Sequence, residues 1–188
     1  ATSRSTKKAA GLTQLGCEFV PGDLTDANFV SPLVAGIDII VHCAALSSPY
    51  GIKSAFESAN IIATETLLQA ARNAGVSKFI FISTPTIYVD LTSKFNVKES
   101  DPLPRKPVNR YAETKLLAEQ IVLSNNTQAI QTLALRPRAI IGAEDTVIFP
   151  RVLNAYEKGK LKIVGRGDNL CDLTCVRNVI EAIQCAIH

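Results

Sequence analysis

The fold is decided by the stretch KFIFIS at residues 78–83, an unbroken apolar run that ends in a hydroxyl side chain. Its aromatic and β-branched residues do not alternate with polar ones, so it predicts a strand buried on both faces. Residues 37–44 have the same character. A helical pattern at 56–74 joins the two runs, and Gly75 follows where this helix should stop. Strand, helix and strand in this order predict an α/β protein with a mainly parallel sheet.

Strand and helix patterns alternate along the rest of the chain. Strands are predicted at 17–21 and within 131–141, and helices at 26–36, 109–124, 149–158 and 176–187. A polar stretch with three prolines between residues 89 and 108 predicts a long surface loop. In sheets of this kind, ligands bind beyond the carboxyl ends of the strands. We therefore expect the functional site among the residues that follow Val20, Val41, Ile82 and Leu135.

The overall composition limits the classes of function. The chain has 188 residues, of which 47% are hydrophobic, and a net charge of +3 from 20 basic and 17 acidic side chains. This hydrophobicity excludes intrinsic disorder, and the balanced charge gives no indication of a nucleic-acid partner. No apolar run is long enough to predict a membrane span. We expect a cytoplasmic protein that acts on a small molecule, with a homodimer as an open possibility.

The five cysteines are odd in number and irregularly spaced, which predicts reduced thiols rather than a disulfide framework. Cys171 and Cys175 could form half of a zinc site. A structural zinc needs about four ligands, however, and only His42 and His188 could join them. We therefore predict that these two cysteines are buried thiols and that the protein holds no metal.

The sequence YAETK at 111–115 places a tyrosine and a lysine four residues apart on a predicted helix, so both lie on one face. A nearby ammonium stabilises a phenolate, and such a tyrosine can exchange a proton with a carbonyl or hydroxyl group. The spacing alone is also typical of a surface helix with an aromatic edge. It gains weight because Ser83 and Thr84 end the strand KFIFIS, where this fold class binds ligands.

Short motifs follow one another along the chain in a fixed order. They are GDLTD at 22–26, VHCAA at 41–45, Asn60 and Thr64 with LLQAA at 67–71, FIST at 81–84 with IY at 87–88, YAETK at 111–115, LRP at 135–137 with Gly142, and DLT at 172–174 with Val176 and Val179. In this order they resemble the extended short-chain dehydrogenases/reductases, the branch that contains NAD-dependent epimerases, dehydratases and 3-beta-hydroxysteroid dehydrogenases. The chain departs from the family's usual residues at Ala63, Glu65, Cys175 and Arg177.

The resemblance implies a doubly wound, Rossmann-like α/β domain over residues 1–188, with segments of a small substrate lobe around 143–175. It also implies that the first strand, the phosphate-binding glycine loop and the first helix are missing, since no G-x-x-G-x-x-G motif is present. The absence of methionine agrees with a trimmed or partial chain. The glycine pair at 165 and 167 is interpreted as a tight turn. Because the first strand is central in this fold, we expect residues 18–20 not to pair with 38–43.

The resemblance assigns catalytic roles to three residues. Tyr111 would be the general acid/base. Lys115 would favour its phenolate form and hydrogen-bond the nicotinamide ribose. Thr84 would hold the substrate oxygen.

The same resemblance implies the cofactor contacts. They are Asp23 and Leu24 at the adenine, Ala44 and Ala45 packed closely against the cofactor, and Pro137 and Ile140 on the nicotinamide side. Arg4, with Lys7 and Lys8 behind it, favours NADP over NAD, because a basic residue at the end of the second strand accommodates the 2′-phosphate. Without the glycine loop, the isolated fragment is expected to bind the cofactor poorly.

The expected function is that of an NAD(P)-dependent oxidoreductase that moves a hydride to or from a carbonyl or hydroxyl carbon. The apolar stretch 146–148 and the segment 42–50 suggest a sterol-like or other apolar substrate. A sugar-nucleotide epimerase and a non-catalytic NAD(P)-binding regulatory protein are the alternatives. A dehydratase is disfavoured, because Pro85 and Thr86 stand where an acid/base pair is needed.

Overall fold

The computed structural model describes residues 1–7, 9–48, 50–143, 145–163 and 165–188. The chain divides into two compact units, residues 1–135 and 136–188. The elements of the first unit are β1 (Thr2–Ser3), α1 (Ala9–Gln14), β2 (Val20–Pro21), α2 (Ala27–Leu33), β3 (Ile39–His42), α3 (Lys53–Phe56), a π-helical segment (Glu57–Ile62), α4 (Ala63–Ala74), β4 (Lys78–Ile82), a 3₁₀ turn (Pro85–Tyr88), α5 (Arg110–Ser124) and β5 (Gln131–Leu135). Those of the second unit are β6 (Ile140–Ile141), α6 (Phe149–Glu157), β7 (Thr174–Cys175) and α7 (Val176–Ile187).

The main sheet has the strand order β3-β4-β5, and all its strands are parallel. Val41 pairs with Ile80, which in turn pairs with Leu133. The prediction of three adjacent parallel strands at 38–43, 78–83 and 131–136 is therefore confirmed. Their carboxyl ends meet at one edge of the sheet, where ligands are expected.

The hydrophobic core lies between this sheet and helices α2, α4 and α5. Phe79 and Phe81 of β4 are fully buried and belong to the same cluster as Leu67, Ala118 and Val122. These two phenylalanines share a face because side chains alternate along a strand.

The opposite face of the sheet is buried at Ile80 of the central strand but less well covered on the two flanking strands. Val41 is 37% exposed and Leu133 is 40% exposed. The prediction that residues 37–44 are buried on both faces is therefore wrong. Alternation turns Ile40 and His42 toward the core, whereas Val41 points away from it.

The long helical stretch between β3 and β4 contains a π-helical segment that the sequence pattern did not predict. It ends at Gly75, whose φ of 76° is the left-handed conformation that glycine adopts easily, so the predicted stop is confirmed. Helix α5 begins after Asn109, whose side chain accepts a hydrogen bond from the backbone N–H of Ala112. This cap fixes the start of the helix that carries the Tyr–Lys pair.

Strands β1 and β2 form a separate parallel pair in which Thr2 lies opposite Val20 and Ser3 opposite Pro21. Among the described residues β2 does not pair with β3, so the prediction for 18–20 and 38–43 is confirmed. Gly22 follows this pair, and a Cβ atom at this position would clash with the ring of Phe29. Only glycine fits there without a shift of that ring.

In the second unit β6 and β7 pair in parallel, and α7 follows β7 directly. Gly142 packs closely against Val176, because a Cβ at this glycine would lie 2.5 Å from a valine methyl. Gly165 and Gly167 have φ values of 64° and 81°, which confirms the predicted tight turn.

All five cysteines lie among the described residues, and they are free and exposed. The prediction of buried thiols at Cys171 and Cys175 is therefore wrong. Cys171 lies outside any helix or strand, and Cys175 takes the exposed position of the two-residue strand β7. Within the described part of the chain, no helix is both long and apolar enough to cross a membrane.

Candidate active site

Lys115 is the best-defined residue of the predicted site. It is only 2% exposed, and its Nζ donates a hydrogen bond of 2.6 Å to the carbonyl oxygen of Ile82, the last residue of β4. The ammonium also lies 3.8 Å from the centroid of the Phe81 ring. Burial lowers the pKa of Lys115 to about 8, while Cys43 and Glu119 act against this shift. The lysine is thus anchored at the carboxyl end of the central strand.

Tyr111 and Thr84 lie at the same end of the sheet. Tyr111 is partly exposed in the first turn of α5, one turn before Lys115. Thr84 is buried and follows β4 by two residues, and its Oγ1 is 2.9 Å from the Oγ1 of Thr86. Helix α5 packs against both β4 and the 3₁₀ turn that follows Thr84. A close approach of the Tyr111 and Thr84 hydroxyl groups stays a prediction.

Asn60, on the π-helical segment, joins this site to the loop after β3, and the sequence reasoning gave it no role. Its Nδ2 donates to the Oγ1 of Thr114 at 2.9 Å. Its Oδ1 accepts from the backbone N–H of Leu46 at 2.7 Å, and its Nδ2 also donates to the Leu46 carbonyl. One buried amide therefore fixes the loop against α5, directly beside Lys115. Its position in the central-helix motif was the available signal.

A buried histidine holds the start of the same loop. His42 Nε2 lies 2.9 Å from the Oγ1 of Thr64, and this hydroxyl donates to the Asn60 carbonyl at 2.7 Å. The single hydroxyl proton is thus used, so the histidine nitrogen donates to the threonine. Burial, assisted by the charge of Lys115, lowers the pKa of His42 to about 3. The imidazole is therefore neutral at physiological pH.

The residues predicted to select the cofactor lie together beyond β1 and β2. Arg4 Nη1 is 3.9 Å from Asp23 Oδ2, and both side chains are exposed. Asp23 Oδ1 accepts bonds of 2.9 Å from the backbone N–H and the hydroxyl of Thr25, which lower the pKa of the carboxyl group. Leu24 packs against the core. Lys7 is exposed, and Lys8 lies outside the described residues.

The remaining predicted cofactor contacts fall in two places. Ala44 and Ala45 are exposed in the loop after β3. Pro137 is partly buried and Ile140 begins β6, both in the second unit. The first unit thus brings together Thr84, Tyr111 and Lys115 at one strand end, and Arg4 and Asp23 at another.

Comparison with known proteins identifies the family. The model of the NAD dependent epimerase/dehydratase family matches residues 1–188. This chain belongs to that family.

Two curated relatives and one solved structure are similar to this chain. A 4-hydroxy-2-methyl-3-oxo-4-farnesyl-3,4-dihydroquinoline-1-oxide ketoreductase from Stigmatella aurantiaca is 35% identical over 97% of this chain and 55% of its own length. The decarboxylating sterol-4-alpha-carboxylate 3-dehydrogenase of Mus musculus is 35% identical over 87% of this chain and 46% of its own. A dTDP-glucose 4,6-dehydratase from Streptomyces venezuelae, solved with NAD, matches with a TM-score of 0.78 and 28% identity over 93% of this chain and 57% of its own.

The chain spans about half the length of the curated relatives it matches. The structural likeness confirms the predicted Rossmann-like α/β fold class.

Proposed function

We propose that the protein is an NAD(P)-dependent oxidoreductase that interconverts a carbonyl and a hydroxyl group on an apolar substrate. The observation that carries this proposal is the buried Lys115, held at the carboxyl end of β4 one helical turn from Tyr111. Burying an ammonium costs free energy unless it is hydrogen-bonded or paired. A buried lysine at a ligand-binding strand end therefore indicates a functional group rather than a packing residue.

The proposed chemistry divides the work among three side chains. Tyr111 donates a proton to the substrate oxygen in reduction and takes it back in oxidation. Lys115 stabilises the phenolate that remains after donation and hydrogen-bonds the cofactor ribose. Thr84 orients the substrate oxygen through its hydroxyl group. The bound nicotinamide supplies or accepts the hydride.

The residues at the strand ends fit a dinucleotide in three respects. Ala44 and Ala45 are small, exposed residues in the loop after β3. The Oγ of Ser83 is buried and has no hydrogen-bond partner among the described residues, so a ligand or water could satisfy it. The guanidinium of Arg4 is exposed, and it suits an anionic group such as the 2′-phosphate of NADP.

The remaining proposed cofactor contacts are those that the family resemblance implies. Asp23 and Leu24 would hold the adenine, and Pro137 and Ile140 would line the nicotinamide side. The cytoplasmic location and the homodimer stay predictions.

The relatives support an apolar substrate. One acts, by its name, on a farnesyl-bearing quinoline oxide and another on a sterol carboxylate, and both names describe oxidation or reduction. A sugar-nucleotide epimerase is the second candidate, because a UDP-glucuronic acid 4-epimerase from Bacillus cereus matches at 25% identity with a TM-score of 0.77. A non-catalytic NAD(P)-binding role would use Lys115 only for the cofactor ribose and would leave Tyr111 without a proton-transfer role.

An assay of the whole protein tests this proposal. The protein should consume NADPH or NADH in the presence of 3-keto sterols or long-chain ketones, as followed by nicotinamide absorbance. A sugar-nucleotide epimerase would instead interconvert UDP-sugars with no net change in that absorbance. No turnover with either substrate class, combined with tight cofactor binding, would favour the regulatory alternative.

A further inference from the structure

Besides Lys115, helix α5 carries a second buried ionisable side chain, Glu119, which the proposed mechanism does not use. Glu119 is 2% exposed, as is Lys115. Besides His42, which burial keeps neutral, Lys115 and Glu119 are the acidic and basic side chains that are buried in the described part of the chain. They are four residues apart on α5 and therefore lie on one face of the helix, a turn apart.

We propose that Glu119 is a positioning residue that keeps the buried Lys115 in its charged form, so that the ammonium is available to Tyr111 and to the cofactor. This inference rests on the proposed function for the role of Lys115 in the reaction. Its physical basis is that a buried charge is tolerated when an opposite charge lies near it, whereas an uncompensated one neutralises.

The surroundings of Lys115 show why a carboxylate is needed. From β4 it meets the Ile82 carbonyl and the Phe81 ring, both of which favour a cation but carry no net charge. From β3 and the residue after it come the neutral His42 and the thiol of Cys43. Cys43 is exposed as a whole residue, but local desolvation still raises the pKa of its thiol.

On α5 itself, Tyr111 precedes Lys115 by one turn, and Glu119 follows it by one turn. The pKa of Lys115 is lowered by burial, and Cys43 and then Glu119 act against that shift. Glu119 contributes the carboxyl group of this set, whereas desolvation raises the pKa of the Cys43 thiol and burial lowers that of the His42 imidazole.

The same helix offers a matched control. Glu113 also lies on α5, but it forms an exposed ion pair of 2.8 Å with Arg110, and its side chain is 37% exposed. Solvent screens such a pair, so removal of its charge should have little effect on a buried group. Glu113→Gln and Glu119→Gln therefore make the same change on the same helix. The first is at an exposed position and the second is at a buried one.

The direct test is an NMR titration of the purified protein with ¹³C-labelled lysine, in which the Lys115 signal is assigned by its loss in Lys115→Arg. Glu119→Gln should move the Lys115 titration midpoint to lower pH, because the ammonium loses its compensating charge. Glu119→Asp should restore most of the midpoint, and Glu113→Gln should leave it in place. A folded Glu119→Gln protein with an unchanged Lys115 midpoint would overturn the proposal.

If Glu119→Gln is too unstable to titrate, thermal unfolding of a double-mutant cycle decides the matter. The loss of Tm caused by Glu119→Gln should be smaller in a Lys115→Met background, where no charge needs compensation. Tm losses that simply add would contradict the proposal.

The pH profile of turnover separates the proposed role of Glu119 from the proposed role of Lys115 in the reaction. A shifted Lys115 midpoint with an unshifted alkaline limb of turnover would support the role of Glu119 while rejecting the role of Lys115 in the reaction.

Discussion

The carboxyl end of β4 and the carboxyl ends of β1 and β2 carry the two halves of the proposed site, and they are built differently. At β4, Lys115 is buried and bonded to the Ile82 carbonyl. At β1 and β2, Arg4 and Asp23 face each other at 3.9 Å in solvent. A buried group is fixed and its protonation is strongly influenced by its neighbours, whereas an exposed pair contributes little until a ligand displaces water from it.

This contrast assigns different tasks to the two regions. The β4 end is suited to chemistry, which needs a fixed geometry and an altered proton affinity. The β1 and β2 end is suited to selection, because an exposed charge gains most of its interaction energy only when a charged ligand arrives. Substitutions at the first end should change turnover, and substitutions at the second should change cofactor preference.

The largest effect is expected at Tyr111. In the whole protein, Tyr111→Phe removes only a hydroxyl group, so packing should be kept and the cofactor Kd should scarcely change. Turnover should fall by about 10²–10⁴-fold, the contribution typical of general acid–base catalysis. Steady-state kinetics combined with a cofactor titration by fluorescence would measure both quantities.

Lys115→Met serves as the companion variant, because it should weaken cofactor binding as well as turnover. The acid/base role of Tyr111 is disproved if Tyr111→Phe retains near-normal turnover. A structure in which Tyr111 points away from Thr84 would have the same consequence.

A smaller effect is expected at the exposed end. Arg4→Asp should weaken NADP binding by about 1.5–3 kcal/mol, the value of a charge-assisted hydrogen bond, and should affect NAD much less. The measurement is the Kd of each cofactor by calorimetry with the whole protein. Arg4→Lys is the control, since it keeps the positive charge. Equal losses for the two cofactors would show that Arg4 does not face the 2′-phosphate.

The sequence predicted part of each region. The strands at 78–82 and 131–135 and the helix at 110–124 were predictable, because their apolar patterns are long and a capping Asn109 marks the start of the helix. The family resemblance assigned Arg4 and Asp23 to separate cofactor contacts, and their approach to 3.9 Å is known only from the structure. The predicted strands and helix depend on local patterns and on the topology that such patterns imply.

The missed features depend on contacts between distant segments. The π-helical turn at 57–62 has ordinary helical apolar spacing, and the bonds of Asn60 to Leu46 and Thr114 that accompany it join positions far apart in the sequence. Burial was mispredicted at Val41 and Cys175 for a related reason. An apolar side chain is buried only where another element covers it, which no local pattern encodes.

The smallest effect is a pH dependence of stability that arises in the buried region. The pKa of His42 is lowered from its ordinary value of about 6.5 to about 3. Between these values the unfolded chain binds a proton that the folded protein does not, so the free energy of unfolding falls as the pH falls through this window. From pH 6 to pH 5 this one group should remove about 1 kcal/mol.

His42→Gln should eliminate that part of the dependence, because its side-chain amide can still donate to Thr64 but does not titrate. His188→Gln is the matched control, since His188 is exposed at the end of the chain and is the other histidine present. Urea unfolding at pH 6 and pH 5 would give the free energy of unfolding for each protein. The wild type and His188→Gln should lose about 1 kcal/mol more than His42→Gln over this interval. Equal losses in all three proteins would mean that His42 takes up a proton in the folded state, which would contradict its burial beside Lys115 and Phe81.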